Sequence, residues 1–211
     1  MNKFIVTLVS SLIALPGMAI DHPGIAGDAH GAGTFPLIVD NAPARGVVAP
    51  DEAAGVRIAA ENLVADFEKV ARGGNPEGNP AVILAGEVNG PLIKQIVRRT
   101  PSVKWLADSL KGKREQYFIT FAGDSMIVAG SDMRGTIYGI YEVSEQLGVS
   151  PWYDWADAPV AVRSNVAIQR GNYTAGEPAV RYRGIFLNDE APCLTSWVKN
   201  TYGTNYGDHR F

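Results

Sequence analysis

A chain of 211 residues, 46% hydrophobic and 19% charged, has enough apolar material for a sizeable core and is not composed for wholesale disorder. With 19 Lys and Arg against 22 Asp and Glu, the formal net charge is −3, and no global basic field draws the chain to nucleic acid or an anionic membrane. The single cysteine, Cys193, excludes an internal disulfide framework, and three scattered histidines (His22, His30, His209) lack metal-ligand spacing, so neither a metal nor a cofactor is expected.

The chain opens with Lys3, an apolar run over residues 4–15 and the small-x-small sequence Gly17-Met18-Ala19. That is the anatomy of a secretory signal too short to span a bilayer. Residues 1–19 are expected to be removed and the mature protein to be secreted, soluble and not embedded in a membrane. Residues 20–33, rich in Gly, Ala and His, read as a mobile leader.

Residues 34–39 predict a short strand, with Pro36 marking an edge position or the strand's start. Val47 and Val48 suggest a second. The clearest helix opens at Pro50-Asp51-Glu52, where Asp51 can cap free amides. Val56, Ala60, Leu63, Phe67 and Val70 then recur along one face, until Gly73-Gly74 stops the helix. Residues 81–84 form a continuous apolar run, consistent with a strand covered on both faces.

Pro91 suits the first turn of a helix running to about Arg99, and a shorter helix is expected over 103–110. Residues 116–122 and 125–129 are β-rich runs separated by Gly123-Asp124, a two-residue hairpin signal. Ser131 or Asp132 then caps a helix carrying Ile137, Tyr141, Ser144 and Leu147 on one side and closed by Gly148. Residues 151–155 are an aromatic loop, and 166–168 another short strand. Strands and helices are mixed around a central hairpin, which predicts an α/β sandwich over 34–170: a mixed sheet with flanking helices.

Residues 171–179 read as a linker containing the sequon Asn172-Tyr173-Thr174. Residues 180–188 then predict a new strand, ending abruptly in acids. A strand of that kind looks like the first of a (β/α)8 barrel, whose catalytic groups sit at the C-terminal ends of its strands. A barrel needs about 250 residues, far more than 180–211 supply. Within this chain the barrel is therefore truncated, and without neighbouring strands residues 180–187 should be poorly packed or expose apolar surface.

Asn188-Asp189-Glu190 is the constellation most suited to chemistry. Successive strand side chains point to opposite faces, so Asn188 and Glu190 would share one face and Asp189 the other. An inverting glycosidase needs its carboxyls about 6.5–9.5 Å apart, so one of the pair would come from another strand. The competing reading is acids that cap the following turn. Elsewhere, Gly130-Ser131-Asp132-Met133-Arg134-Gly135-Thr136 has phosphate-loop glycines but no Lys to meet a phosphate, and reads as a tight strand-to-helix turn. Lys94, Arg98, Arg99, Lys104, Lys111, Lys113 and Arg114 read as a solvated face without aromatic interleaving. Trp152, Tyr153 and Trp155 could stack on sugar rings or lock a domain junction.

Three stretches together resemble glycoside hydrolase family 115. They are Gly130-Ser131-Asp132-Met133-Arg134-Gly135-Thr136-Ile137-Tyr138-Gly139-Ile140-Tyr141, then Ser144-Glu145-Gln146-Leu147-Gly148-Val149-Ser150-Pro151-Trp152-Tyr153 running into Trp155-Ala156-Asp157, and Arg183-Gly184-Ile185-Phe186-Leu187-Asn188-Asp189-Glu190-Ala191-Pro192. The resemblance implies an α/β sandwich followed by a catalytic barrel. It also implies metal-independent, inverting removal of α-1,2-linked glucuronic or 4-O-methylglucuronic acid from glucuronoxylan or its oligosaccharides. Carried over, Asp189 is the favoured catalytic carboxylate, Glu190 the alternative, and Asn188 a sugar hydrogen-bonding residue. The other catalytic carboxylate would lie outside these 211 residues, which are expected to hydrolyse nothing alone. The alternative is a non-catalytic carbohydrate-binding or scaffold module.

Overall fold

The computed structural model describes residues 25–26, 31–153, 157–184, 186 and 194–203. The contacts divide the chain after Pro178 into two units. In the first, the elements follow in chain order: β1 (Ile25–Ala26), β2 (Thr34–Val39), β3 (Ala42–Pro43), β4 (Arg45–Val48), α1 (Ala54–Ala71), β5 (Val82–Glu87), α2 (Pro91–Arg99), α3 (Pro101–Ser109), β6 (Tyr117–Ala122), β7 (Ser125–Gly130), α4 (Met133–Leu147), β8 (Val166–Gln169) and β9 (Tyr173–Ala175). Among the described residues no helix is long and apolar enough to cross a membrane.

Five strands make the central sheet in the order β4-β5-β7-β6-β9. β4, β5 and β7 run parallel, while β6 and β9 are antiparallel to their neighbours. Alternation along β7 shows how the sheet is covered on both faces. Met126 and Val128 enter the core shared with α1 and α4, whereas Ile127 and Ala129 enter a second core under α2 and α3. The expected α/β sandwich is the observed architecture, and no closed barrel occurs among the described residues.

A smaller antiparallel sheet, in the order β1-β8-β2-β3, joins the α1/α4 core through Phe35, Leu37, Ile38, Val166 and Ile168. Arg170 staples the two sheets together. Its guanidinium lies 5.6 Å from the Phe35 ring centre and 5.7 Å from that of Phe121, and donates to the Thr34 carbonyl at 2.9 Å and the Gly123 carbonyl at 2.8 Å. A guanidinium meets both needs at once, because its face suits an aromatic ring and its edge carries the donors.

β2 lies between β8 and β3, but β3 pairs with it only at Ile38 and Val39. Pro36 therefore meets Ala167 of β8 on one side and, among the described residues, no strand on the other, where Asn79 Nδ2 donates to its carbonyl at 3.4 Å. The expected edge position holds locally, and a residue without an amide is tolerated there. Asp51 does not cap α1. The cap position is Ala53, with no side-chain hydrogen bond. A missing cap costs about 1 kcal/mol, which the buried stripe offsets, since Val56, Leu63, Phe67 and Val70 are each worth roughly 1.5–3 kcal/mol and all are buried. The helix stops as expected, with Arg72 left-handed at φ 47° and Gly73 at φ 82°.

Glu52, beside the expected cap, turns inward. Only 6% exposed, its Oε1 accepts from the Glu87 amide at 3.2 Å. Burial, more than the nearby Glu87 and Asp51 charges, raises its carboxyl above the ordinary 4.5. The native state therefore holds a proton that the unfolded chain has released, and stability falls as pH rises from the ordinary value through the raised one. Glu52→Gln keeps an acceptor for the Glu87 amide and removes that dependence. Urea midpoints should show the variant more stable than the wild type near about pH 7 and the two converging near about pH 4. A wild type more stable than the variant at the higher pH would overturn the assignment.

The described residues differ from expectation in four further places. Ile25 and Ala26, expected in a mobile leader, pair with Ile168 and Ala167 as β1. The buried stripe of α4 is Thr136, Gly139, Ile140, Val143 and Leu147, with Ser144 beside it, while Tyr141 is 42% exposed. Residues 173–175, expected in a linker, pair with β6 as the edge strand of the main sheet. Residues 180–184, expected to begin a strand, form none. Val180 is 60%, Tyr182 84% and Phe186 93% exposed, the apolar exposure anticipated for a strand without neighbours. The second unit also contains α5 (Leu194–Tyr202), in which Leu194 and Val198, four residues apart, are buried.

Candidate functional site

Asn188, Asp189 and Glu190 lie outside the described residues, as do Trp155, Cys193 and the histidines His22, His30 and His209. Their arrangement enters none of the geometry below.

The glycine-rich turn between β7 and α4 is built for packing. Asp132 uses both carboxylate oxygens, Oδ1 accepting from the Gly135 amide at 2.8 Å and Oδ2 from the Glu115 amide at 2.8 Å. Ser131 Oγ accepts from the Gln116 amide at 3.1 Å, and the Ser131 amide donates to the Gln116 carbonyl at 2.8 Å. The Thr136 amide is bound to the Asp132 carbonyl at 3.0 Å. The Ser131, Gly135 and Thr136 amides are thus taken by the chain itself, and the turn locks α4 against the start of β6.

The basic run over 94–114 is partly neutralised. Lys104 and Lys111 both reach Asp108, at 2.6 and 2.7 Å, and their hydrogen bonds hold its carboxyl down to about 2. Arg114 spans to the residues after β9, donating to Glu177 at 3.3 Å and to the Pro178 carbonyl at 2.9 Å. A surface carrying its own counter-charges fits a solvated face.

A cleft of about 770 Å³ opens in the first unit between α1, α4, the start of β6 and the turn after α4. From α1 come Asn62, Asp66 and Lys69; from α4 come Tyr138, Tyr141, Glu142, Ser144 and Glu145. Glu115, Tyr117, Ser150 and Tyr153 complete the polar lining. The two helices supply it because each turns its apolar stripe to the sheet, leaving the adjoining positions three and four residues apart to face one another.

Several of these groups are held in place. Asn62 Nδ2 donates to the Tyr141 hydroxyl at 2.7 Å, and Arg134 donates to the Tyr138 hydroxyl at 3.0 Å. The Tyr117 hydroxyl donates to Glu142 Oε2 at 3.0 Å, and Gln146 Nε2 donates to Oε1 at 2.8 Å. Burial first, then the Glu142 charge, pushes the Tyr117 phenol well above its ordinary range, so it stays a neutral donor. Lys69 Nζ sits 2.8 Å from Asp66 Oδ1 and 4.4 Å from the Tyr153 ring centre. Tyr153, from the aromatic loop, thus packs within the first unit, while Trp152 is 62% exposed.

Of the cleft's polar residues, the sequence singled out Tyr153 as able to stack on a sugar ring and put Tyr141 and Ser144 on one face of their helix, but it marked none of the carboxylates. Glu142 and, one turn on, Gln146 occupy ordinary helical positions, and it is Tyr117 of β6 that reaches Glu142 there. The signal that could have been read is their i, i+4 spacing on the flank of an apolar stripe.

Residues 175–211 match the model of glycosyl hydrolase family 115. Among solved structures, the chain is similar to a family GH115 4-O-methyl-alpha-glucuronidase, BtGH115A, with specificity for decorated arabinogalactans. The match has 30% identity and a TM-score of 0.65, and covers 80% of this chain and 22% of that one. The chain thus spans about a fifth of that enzyme's length. A GH138 enzyme targeting pectin rhamnogalacturonan II is 21% identical over 51% of this chain and 13% of its own, at a TM-score of 0.33, too low to define a shared fold. No curated protein matches the chain.

Proposed function

Because the chain belongs to glycosyl hydrolase family 115, we propose that it is the N-terminal part of a secreted glycoside hydrolase, one that removes α-1,2-linked glucuronic or 4-O-methylglucuronic acid from xylan. The supporting observation is the likeness to the solved glucuronidase at 30% identity across 80% of the chain, together with a family match that includes Asn188, Asp189 and Glu190. The sandwich supplies no catalytic pair in this reading. It precedes the barrel whose first strand carries the acidic triplet at its mouth.

Hydrolysis would proceed by inversion. One carboxyl group protonates the leaving oxygen while a second, across the sugar, activates water. Asp189 is assigned as one of them, with Glu190 the alternative and Asn188 holding a sugar hydroxyl. Residues 1–211 alone, lacking the opposing carboxylate, should be inactive.

The test is glucuronate release from glucuronoxylan and from decorated arabinogalactan, using the 211-residue chain and an enzyme extended through a whole barrel. Activity confined to the extended enzyme, with the released sugar first seen in the inverted anomeric form, is the expected result. Release by residues 1–211 would refute the inactive-alone reading. No release by the extended enzyme would sink the function and favour a carbohydrate-binding or scaffold module.

A further inference from the structure

We propose that the cleft between α1 and α4 is a carbohydrate-binding site for an uncharged stretch of polysaccharide backbone. The inference rests on the reading of the chain as part of a polysaccharide-acting hydrolase and adds where, and which part of, the polymer is held. A volume of about 770 Å³ falls within the range of small-ligand sites, roughly 300–1,000 Å³. Its walls join the two kinds of surface a pyranose needs. Tyr138, Tyr141 and Tyr153 supply aromatic carbon for the C–H faces of sugar rings, while Asn62, Glu145 and Ser144 supply groups for hydroxyls.

Charge selects the neutral part of the polymer. Asp66, Glu115, Glu142 and Glu145 line the cleft, and although Arg134 beside it pairs with Glu115 at 3.3 Å, the lining itself brings one cation, Lys69. That ammonium is already paired with Asp66 and seated over Tyr153. A glucuronate carboxylate would therefore meet repulsion, whereas sugar hydroxyls can donate to carboxylates without adding charge.

A separate observation points to a ligand. Ser144 is 4% exposed and lines the cleft, yet its hydroxyl has no partner among the described residues. Leaving a buried hydroxyl unpaired is unfavourable, and a sugar hydroxyl can both donate to it and accept from it. The surrounding groups are preorganised on two helices, with Tyr138 and Tyr141 fixed through their hydroxyls by Arg134 and Asn62. Such fixing reduces the ordering cost of binding.

Calorimetric titration of the 211-residue chain with xylohexaose, a neutral galacto-oligosaccharide and a glucuronate-bearing xylo-oligosaccharide tests the site. At least one neutral oligosaccharide should bind, and which of the two binds identifies the backbone. Tyr141→Ala and Glu145→Ala, both at exposed positions on α4, should each weaken that binding about tenfold without moving the melting temperature. Trp105→Ala, on α3 across the sheet, should leave it unchanged. Failure of both neutral ligands to bind would overturn the proposal, as would tighter binding of the glucuronate-bearing one or indifference to both α4 substitutions. Because the neutral ligands carry no glucuronate, the result is independent of whether the extended enzyme releases it.

Discussion

In the extended enzyme, Asp189→Asn is expected to lower kcat for glucuronate release by about 10²–10⁴-fold while thermal unfolding stays unchanged. The substitution keeps size and hydrogen-bonding capacity but removes the ability to gain or lose a proton, which is what an acid or base must do in the transition state. Glu190→Gln is the paired measurement. If a completed barrel draws residues 180–190 into a strand, the two side chains point to opposite faces, and only one reaches the sugar. A large loss for Asp189→Asn with a small one for Glu190→Gln supports the assignment. The reverse pattern transfers the role to Glu190. Losses of only a few fold for both would remove the triplet from the chemistry and leave the acids as caps of the following turn.

Gly135→Ala is expected to destabilise the first unit by about 3 kcal/mol or more, a fall of roughly 6–12 °C in melting temperature for a domain of this size. A Cβ at Gly135 would collide with the Gln116 carbonyl, and one at Gly130 with the Thr136 amide. Both obstacles are backbone, which cannot swing aside like a side chain. They belong to the turn in which Asp132 and Ser131 bind the 115–116 backbone, so relief would have to break those hydrogen bonds. Gly31→Ala is the contrast, since a Cβ there meets nothing within 4 Å, and its cost should stay within about 0.5 kcal/mol. Equal melting temperatures for the two variants would show that the turn is looser than drawn.

The crowding at Gly130 and Gly135 also explains why one segment invited two readings. Glycines spaced around a strand-to-helix turn suit a phosphate loop equally well on paper. Here the spacing serves close approach, and the missing Lys was the visible clue. The same turn lies within the first stretch that resembles glycoside hydrolase family 115.

Local patterns alone placed most elements of the sandwich. The alternation and apolar runs of β2 and β5, the Gly123-Asp124 hairpin, Pro91 at the start of α2 and the Asp132 cap of α4 each involve residues within a few positions of one another. Backbone sterics and short-range hydrogen bonds act over that distance, and they are written in neighbouring letters. The family resemblance was equally legible. Tertiary structure decided what depends on partners far along the chain. It buried Glu52 beneath the Glu87 amide instead of leaving a cap at Asp51. It recruited residues 173–175 to the sheet through β6, and it rotated α4 so that Tyr141 faces Asn62 across a cleft. Each of these outcomes balances burial against polar pairing between segments dozens of residues apart, and that balance exists only once the layers have packed.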